Sequence, residues 1–108
     1  MMVIDFHTHC FPEKIAAGAI NTLSEASGGL TPYTDGTLES LRTLLRSQGV
    51  DKFVVNNIAT NERQMKKVND FAISINGDDV ISFGSVFPDA PDALEELERI
   101  AEAGLKGV

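Results

Sequence analysis

Residue types capable of metal or acid–base chemistry are concentrated in one stretch, Ile4-Asp5-Phe6-His7-Thr8-His9-Cys10-Phe11-Pro12. Both histidines of the chain lie in it, two residues apart, with an aspartate two residues before the first. In an extended strand, residues two apart point the same way. Asp5, His7 and His9 are therefore expected on one face, with Ile4 and Phe6 on the other under covering helices. Two neutral imidazoles so placed converge on one divalent ion at about 2.0–2.1 Å per nitrogen. The bland alternative is a pair of metal-free surface or core histidines; finding both in one spot favours the metal. Asp5 reads either as a carboxylate that orients an imidazole from behind or as one held by backbone donors. Cys10 reads as a small apolar residue beside the pair, or as a thiol sensitive to metals and oxidants.

These residues need elements to hold them. Val3 to His7 reads as a strand, followed by a helix over Pro12–Ser27 with Ile15, Ala19, Ile20 and Leu23 at helical spacing. Gly28 to Gly36 reads as a loop. Thr37 caps a second helix with the stripe Leu38, Leu41, Leu44 and Leu45, closed at Gly49 with Val50 completing a Schellman ending. The Phe53-Val54-Val55 block within 52–58 has the look of a strand buried on both faces. Asn61 and Gln64 have the form of a capping box opening a helix through Met65, Val68, Ala72 and Ile75. A third strand is expected over 80–87. The last helix is expected to carry Pro91 in its first turn, to turn Leu94, Leu97, Ile100 and Ala101 inward, and to offer Asp92, Glu95, Glu96, Glu98 and Glu102 to solvent.

Glycines Gly49, Gly77 and Gly104 stand where each helix gives way to the next strand. Strand–helix alternation without a tight hairpin signal implies a parallel sheet in the order of the chain, with right-handed crossovers. The histidine pair then sits at the carboxyl end of the first strand, where sites of parallel α/β folds collect. Leu105-Lys106-Gly107-Val108 reads as the start of a fourth strand.

With 108 residues, 43% of them hydrophobic, the chain suffices for one small domain spanning 1–108. No apolar run reaches the roughly 18–20 residues of a membrane span, and the first residues lack the basic start of a signal peptide. Nine basic against sixteen acidic residues give a formal charge of −7. Such a balance lacks the electrostatic footprint for nucleic acid or anionic lipid. A lone cysteine forms no internal disulfide and suits a reducing cytoplasm. Glu13, Asp35 and Asp89 follow strand ends or lie in a loop, and read first as helix-start or solvated residues, second as ligands. Thr31, Tyr33 and Thr34 are candidates for the mouth of the site; Asn56 and Asn57 are candidates for substrate contacts or for caps on neighbouring backbone.

The Asp-Phe-His-Thr-His-Cys-Phe-Pro stretch, followed by a helix and βα repeats, resembles the amidohydrolase superfamily of metal-dependent hydrolases. It looks most like the amidohydrolase-related branch that includes aminocarboxymuconate-semialdehyde decarboxylase. Phe83-Gly84-Ser85-Val86-Phe87-Pro88-Asp89 looks like that family's third strand, and Gly104 to Val108 like the start of its fourth. The resemblance implies the N-terminal portion of a (β/α)8 barrel, broken off at strand four, since a barrel takes about 250 residues. It also implies His7 and His9 as metal ligands, zinc first and manganese second, and a small-molecule substrate. The reaction implied is hydrolysis of an amide, ester or lactone, with non-oxidative decarboxylation as the alternative. The family's further His and Asp ligands have no counterpart here. The piece alone is thus expected to be inactive, or to act as a non-catalytic interaction module, with open strands inviting oligomers. Phosphoesterase and nuclease families that open on a similar strand fit less well. Phe11-Pro12-Glu13 leads straight into a helix, and Lys66-Lys67 is the only basic pair.

Overall fold

The computed structural model describes all 108 residues. Its elements run β1 (Ile4–Thr8), α1 (Glu13–Ala26), α2 (Leu38–Ser47), β2 (Lys52–Asn56), α3 (Glu62–Ile75), β3 (Val80–Phe83) and α4 (Ala93–Glu102). The three strands form one parallel sheet in the order β1-β2-β3. The body measures 40 × 36 × 20 Å. Its thin dimension matches one sheet and one helical layer, each about 10 Å deep.

The central strand holds the core. Phe53, Val54 and Val55 are all buried at the centre of the sheet, between β1 and β3. Phe53 and Val55 pack with Val80, Cys10 and Leu41, against Leu38 and Leu45 of α2 and Phe71 and Ile75 of α3. A second cluster joins Ala72, Ile100 and Leu105 beneath Ile73 and Val86. These apolar contacts fix which side of the sheet carries helices.

Local sequence explains the boundaries. The Thr37 hydroxyl accepts from the Ser40 amide at 3.2 Å and starts α2. Gly49, at φ 79°, ends it, and the Val50 amide reaches back to the Leu45 carbonyl at 3.0 Å, the Schellman bond. Asn61 caps α3 by accepting from the Gln64 amide at 3.1 Å. The return bond of a capping box goes elsewhere: Gln64 Oε1 accepts from the amide and hydroxyl of Thr60. Asp79 receives both Arg42 and Arg46, at 2.8 and 2.9 Å, and so ties α2 to the entrance of β3.

Four boundary expectations are corrected. β2 stops at Asn56 and β3 at Phe83; beyond them the Ala59 amide donates to the Ser85 hydroxyl and the Ser85 amide to Asn69 Oδ1. α3 ends at Asn76 in extended backbone, and Gly77 belongs to the turn that donates to the Val80 carbonyl. Pro91 precedes the N-cap Asp92 and lies outside the first turn of α4. The inward face of α4 is Ala93, Glu96 and Ile100, whereas Leu94 and Leu97 are 78% and 41% exposed and Ala101 also faces out.

Glu96 turns inward because partners wait for it. Its Oε1 accepts from Asn69 Nδ2 at 2.9 Å and from Arg99 at 2.6 Å. Asn69, itself fully buried, also donates to the Ser85 carbonyl and accepts from the Ser85 amide, both at 2.8 Å. Arg99 continues to Asp70 at 2.7 Å. The network joins α3, α4 and the segment after β3. The Arg99 guanidinium holds the Glu96 carboxyl below its ordinary range. At the C-terminus, the Gly107 carbonyl accepts from the Gly84 amide at 2.9 Å, which lays the last residues beside the end of β3. No helix is long and apolar enough to cross a membrane.

Candidate functional site

The register of β1 decides where the histidines go. Asp5 stands opposite Phe53, so an unbroken parallel ladder would put His7 opposite Val55; the residue found there is Thr8. One extra residue has entered β1 between Asp5 and Thr8, a β-bulge. In parallel pairing, residues in register share a side of the sheet, and Phe53 and Val55 belong to the helix-covered core. Asp5 and Thr8 therefore take the helix side, and Thr8 is indeed buried, its hydroxyl donating to the Val54 carbonyl at 2.7 Å. His9, one residue on, falls to the open side.

Regular alternation thus fails here, and two expectations fail with it. Asp5 does not lie on the face of His9, and its carboxylate touches no imidazole: Oδ1 accepts from the His7 backbone amide at 3.1 Å. Ile4 and Phe6 are not covered by helices; they are 43% and 65% exposed. Phe6 rests edge-on against Phe83, ring centres 6.0 Å apart, on the uncovered face.

The bulge leaves His7 and His9 side by side. Their ring centres are 5.1 Å apart and their planes meet at 70°. A metal about 2.0–2.1 Å from one nitrogen of each ring, at a tetrahedral angle, places ring centres roughly 5 Å apart. His9 Nδ1 lies 2.8 Å from the Asn56 carbonyl oxygen. A carbonyl only accepts, so Nδ1 carries a proton, and in the neutral ring Nε2 then presents its lone pair, the arrangement usual for a ligating imidazole. The spacing of the ring centres is that of two imidazoles sharing one ion. No group of three or more His, Cys, Asp or Glu residues stands ready to complete one.

The other candidates serve structure. Cys10 is buried among Leu41, Phe53 and Val55, and desolvation pushes its thiol up to about 11, which makes it an apolar filler. Asn57 Nδ2 donates to Ser82 Oγ at 3.1 Å and to the Phe83 carbonyl at 2.8 Å, and Asn56 Nδ2 reaches the Phe6 carbonyl at 3.4 Å. Both amides hold neighbouring strands. Asp35 accepts from the Thr37 amide and hydroxyl at 2.9 and 2.6 Å, just ahead of α2. A groove of about 860 Å³ lies away from the imidazoles, between Glu13 and α2, and includes Tyr33, Asp35 and Glu39. Thr31 belongs to a second groove with Leu23 and Leu30. Neither groove includes a histidine, and the exposed Asp89 joins neither. Sequence reasoning missed the bulge and the Asn56 carbonyl, since neither leaves a mark in residue type.

No family model, curated protein or solved structure matches the chain.

Proposed function

We propose that the chain carries the two-histidine part of a divalent-metal centre of the amidohydrolase kind, on the first strand of a (β/α)8-type barrel. The observation that carries the reading is the His7–His9 pair, with ring centres 5.1 Å apart and the His9 tautomer set by the Asn56 carbonyl. His7 and His9 would hold the ion, zinc before manganese, and residues from outside these 108 would complete its ligands. A bound ion of this kind lowers the pKa of coordinated water from about 15.7 to about 7 and polarises a carbonyl, the chemistry for hydrolysing an amide, ester or lactone. The residues of this chain orient: Asn56 fixes His9, Thr8 pins the strand between the two imidazoles, and the bulge turns the pair to the open face.

A second reading, a metal-binding or interaction module without catalysis, is favoured by the incomplete donor set. Calorimetric titration with zinc and with manganese tests the metal reading. The wild-type chain is expected to bind, and His7→Ala and His9→Ala each to weaken binding at least tenfold. Equal binding by wild type and the double variant would overturn it. An ester and amide hydrolysis screen of the zinc-loaded chain separates enzyme from module.

A further inference from the structure

We infer that Asp5 is a positioning residue for the paired imidazoles, acting through the backbone of the β-bulge and not through either ring. The inference deepens the metal reading above and rests on it. With Asp5 opposite Phe53 and Thr8 opposite Val55, His7 is left as the supernumerary residue of β1. In a regular ladder the His7 amide would donate across to β2. Here Thr8 has taken that register position, and the His7 amide instead donates to its own strand, to Asp5 Oδ1 at 3.1 Å. The neighbouring Phe6 carbonyl is met by the Asn56 side chain at 3.4 Å. Two side chains therefore satisfy backbone groups at the irregularity, as a stable bulge requires.

The consequence for chemistry follows from counting along the strand. Without the extra residue, His7 and His9 would continue the side of Asp5, which is the side of Phe53 and the helix-covered core. Imidazoles there would be packed against Leu41 and Val55 and could not share an ion with an open coordination face. The bulge moves Thr8 into the core and sends His9 to the open side, with the exposed His7 ring beside it. Asp5 supplies the acceptor that makes this register affordable. A short side chain two residues before the bulged amide is what such a bond needs, and an acceptor oxygen is the property that matters, more than charge.

The test uses the full chain loaded with Cu(II) as a spectroscopic stand-in, frozen, with pulsed EPR to count coordinated imidazole nitrogens and a competition titration to give affinity. Wild type is expected to show two imidazoles. Asp5→Asn keeps an acceptor oxygen and is expected to keep both imidazoles and an affinity near wild type. Asp5→Ala removes the acceptor and is expected to show one imidazole and an affinity lower by roughly 10–100-fold, the usual cost of losing an outer support of a metal ligand. Asp5→Ser, a shorter acceptor, covers the case in which Asp5→Ala fails to fold, and is expected to fall between the two. Two imidazoles with unchanged affinity in Asp5→Ala would overturn the positioning role while leaving the metal reading intact. Loss of an imidazole in Asp5→Asn as well would overturn it by pointing to charge. A wild type in which neither His7→Ala nor His9→Ala changes the spectrum would overturn the metal reading itself, and the inference with it.

Discussion

Replacing Asn69 by Ala probes the polar network that joins α3 and α4 beside their apolar contact. Asn69 is fully buried and makes three hydrogen bonds of 2.8–2.9 Å, two to the backbone of Ser85 and one to Glu96. After truncation Glu96 keeps Arg99, but the Ser85 amide and carbonyl lose their partners. An unsatisfied buried group costs about 1–3 kcal/mol. Ser85 is only half-buried, which places each of its groups at the lower end of that range. Adding the bond lost at Glu96, the variant should lose about 3 kcal/mol, a large share of the 5–15 kcal/mol of an ordinary domain. Urea unfolding at matched protein concentration measures this as a lower midpoint with an unchanged slope. A double-mutant cycle with Glu96→Ala, which removes the acceptor of the Asn69 amide, should give a coupling of about 0.5–3 kcal/mol, since the two side chains share one network. A loss under about 0.5 kcal/mol, or no coupling, would refute the claim that this network organises the α3–α4 contact.

Acid should weaken the fold through Glu96 and Asp79, whose carboxyls are held low by Arg99 and Arg42. Because their folded pKa values are depressed, their contribution is complete above the ordinary carboxylate range of about 4 and is lost as pH falls through the folded values. Glu96→Gln and Asp79→Asn should each flatten stability against pH below about 4, measured by thermal melting; parallel curves would contradict this. Gly36→Ala should cost about 2–5 kcal/mol by urea unfolding, combining a left-handed backbone with overpacking, since its φ is 86° and a Cβ would lie 2.6 Å from Ile20. Gly49→Ala, at φ 79° but in open space, should cost only about 1–2 kcal/mol; equal losses would refute the steric part. The exposed Ile4 and Phe6 beside an unpaired strand edge should drive concentration-dependent self-association, reduced by Phe6→Lys. Light scattering after size-exclusion chromatography checks this, and a wild-type monomer at every concentration would oppose it.

Periodicity and capping residues were enough to place four helices and three strands in order and to set the parallel sheet, because Thr37, Gly49 and the Phe53-Val54-Val55 block act through local physics. The fourth strand expected at Leu105 to Val108 is not formed, and those residues are hydrogen-bonded to the end of β3 only through the Gly84 amide and the Gly107 carbonyl. What failed was whatever depends on distant partners. Glu96 looks like a solvent residue until Asn69, 27 positions earlier, is known to face it. Turning Glu96 inward then carries Leu94 and Leu97 outward by simple helical rotation. The histidine pair was legible as a pair, yet the alternation that grouped it with Asp5 assumes an unbroken ladder. A single added residue between Asp5 and Thr8 reverses the faces, and no residue type in that stretch announces it.

The strand that bears the imidazoles is also the least buried of the three. Of the five residues of β1 only Thr8 is buried, whereas the middle three of β2 are all enclosed. The links across to β2 at its carboxyl end are the backbone pairing of Thr8 with Val55, the Thr8 hydroxyl, the Asn56 side chain and the His9 ring. In a hierarchy of partial openings, β1 peels away at a lower free energy than the β2–α3–β3 unit, so its amides exchange with solvent first. His9 is itself one of those links. An ion that orders His9 against Asn56 would then add its binding free energy to the docking of the whole strand, so occupancy of the site and closure of the sheet edge become a single equilibrium.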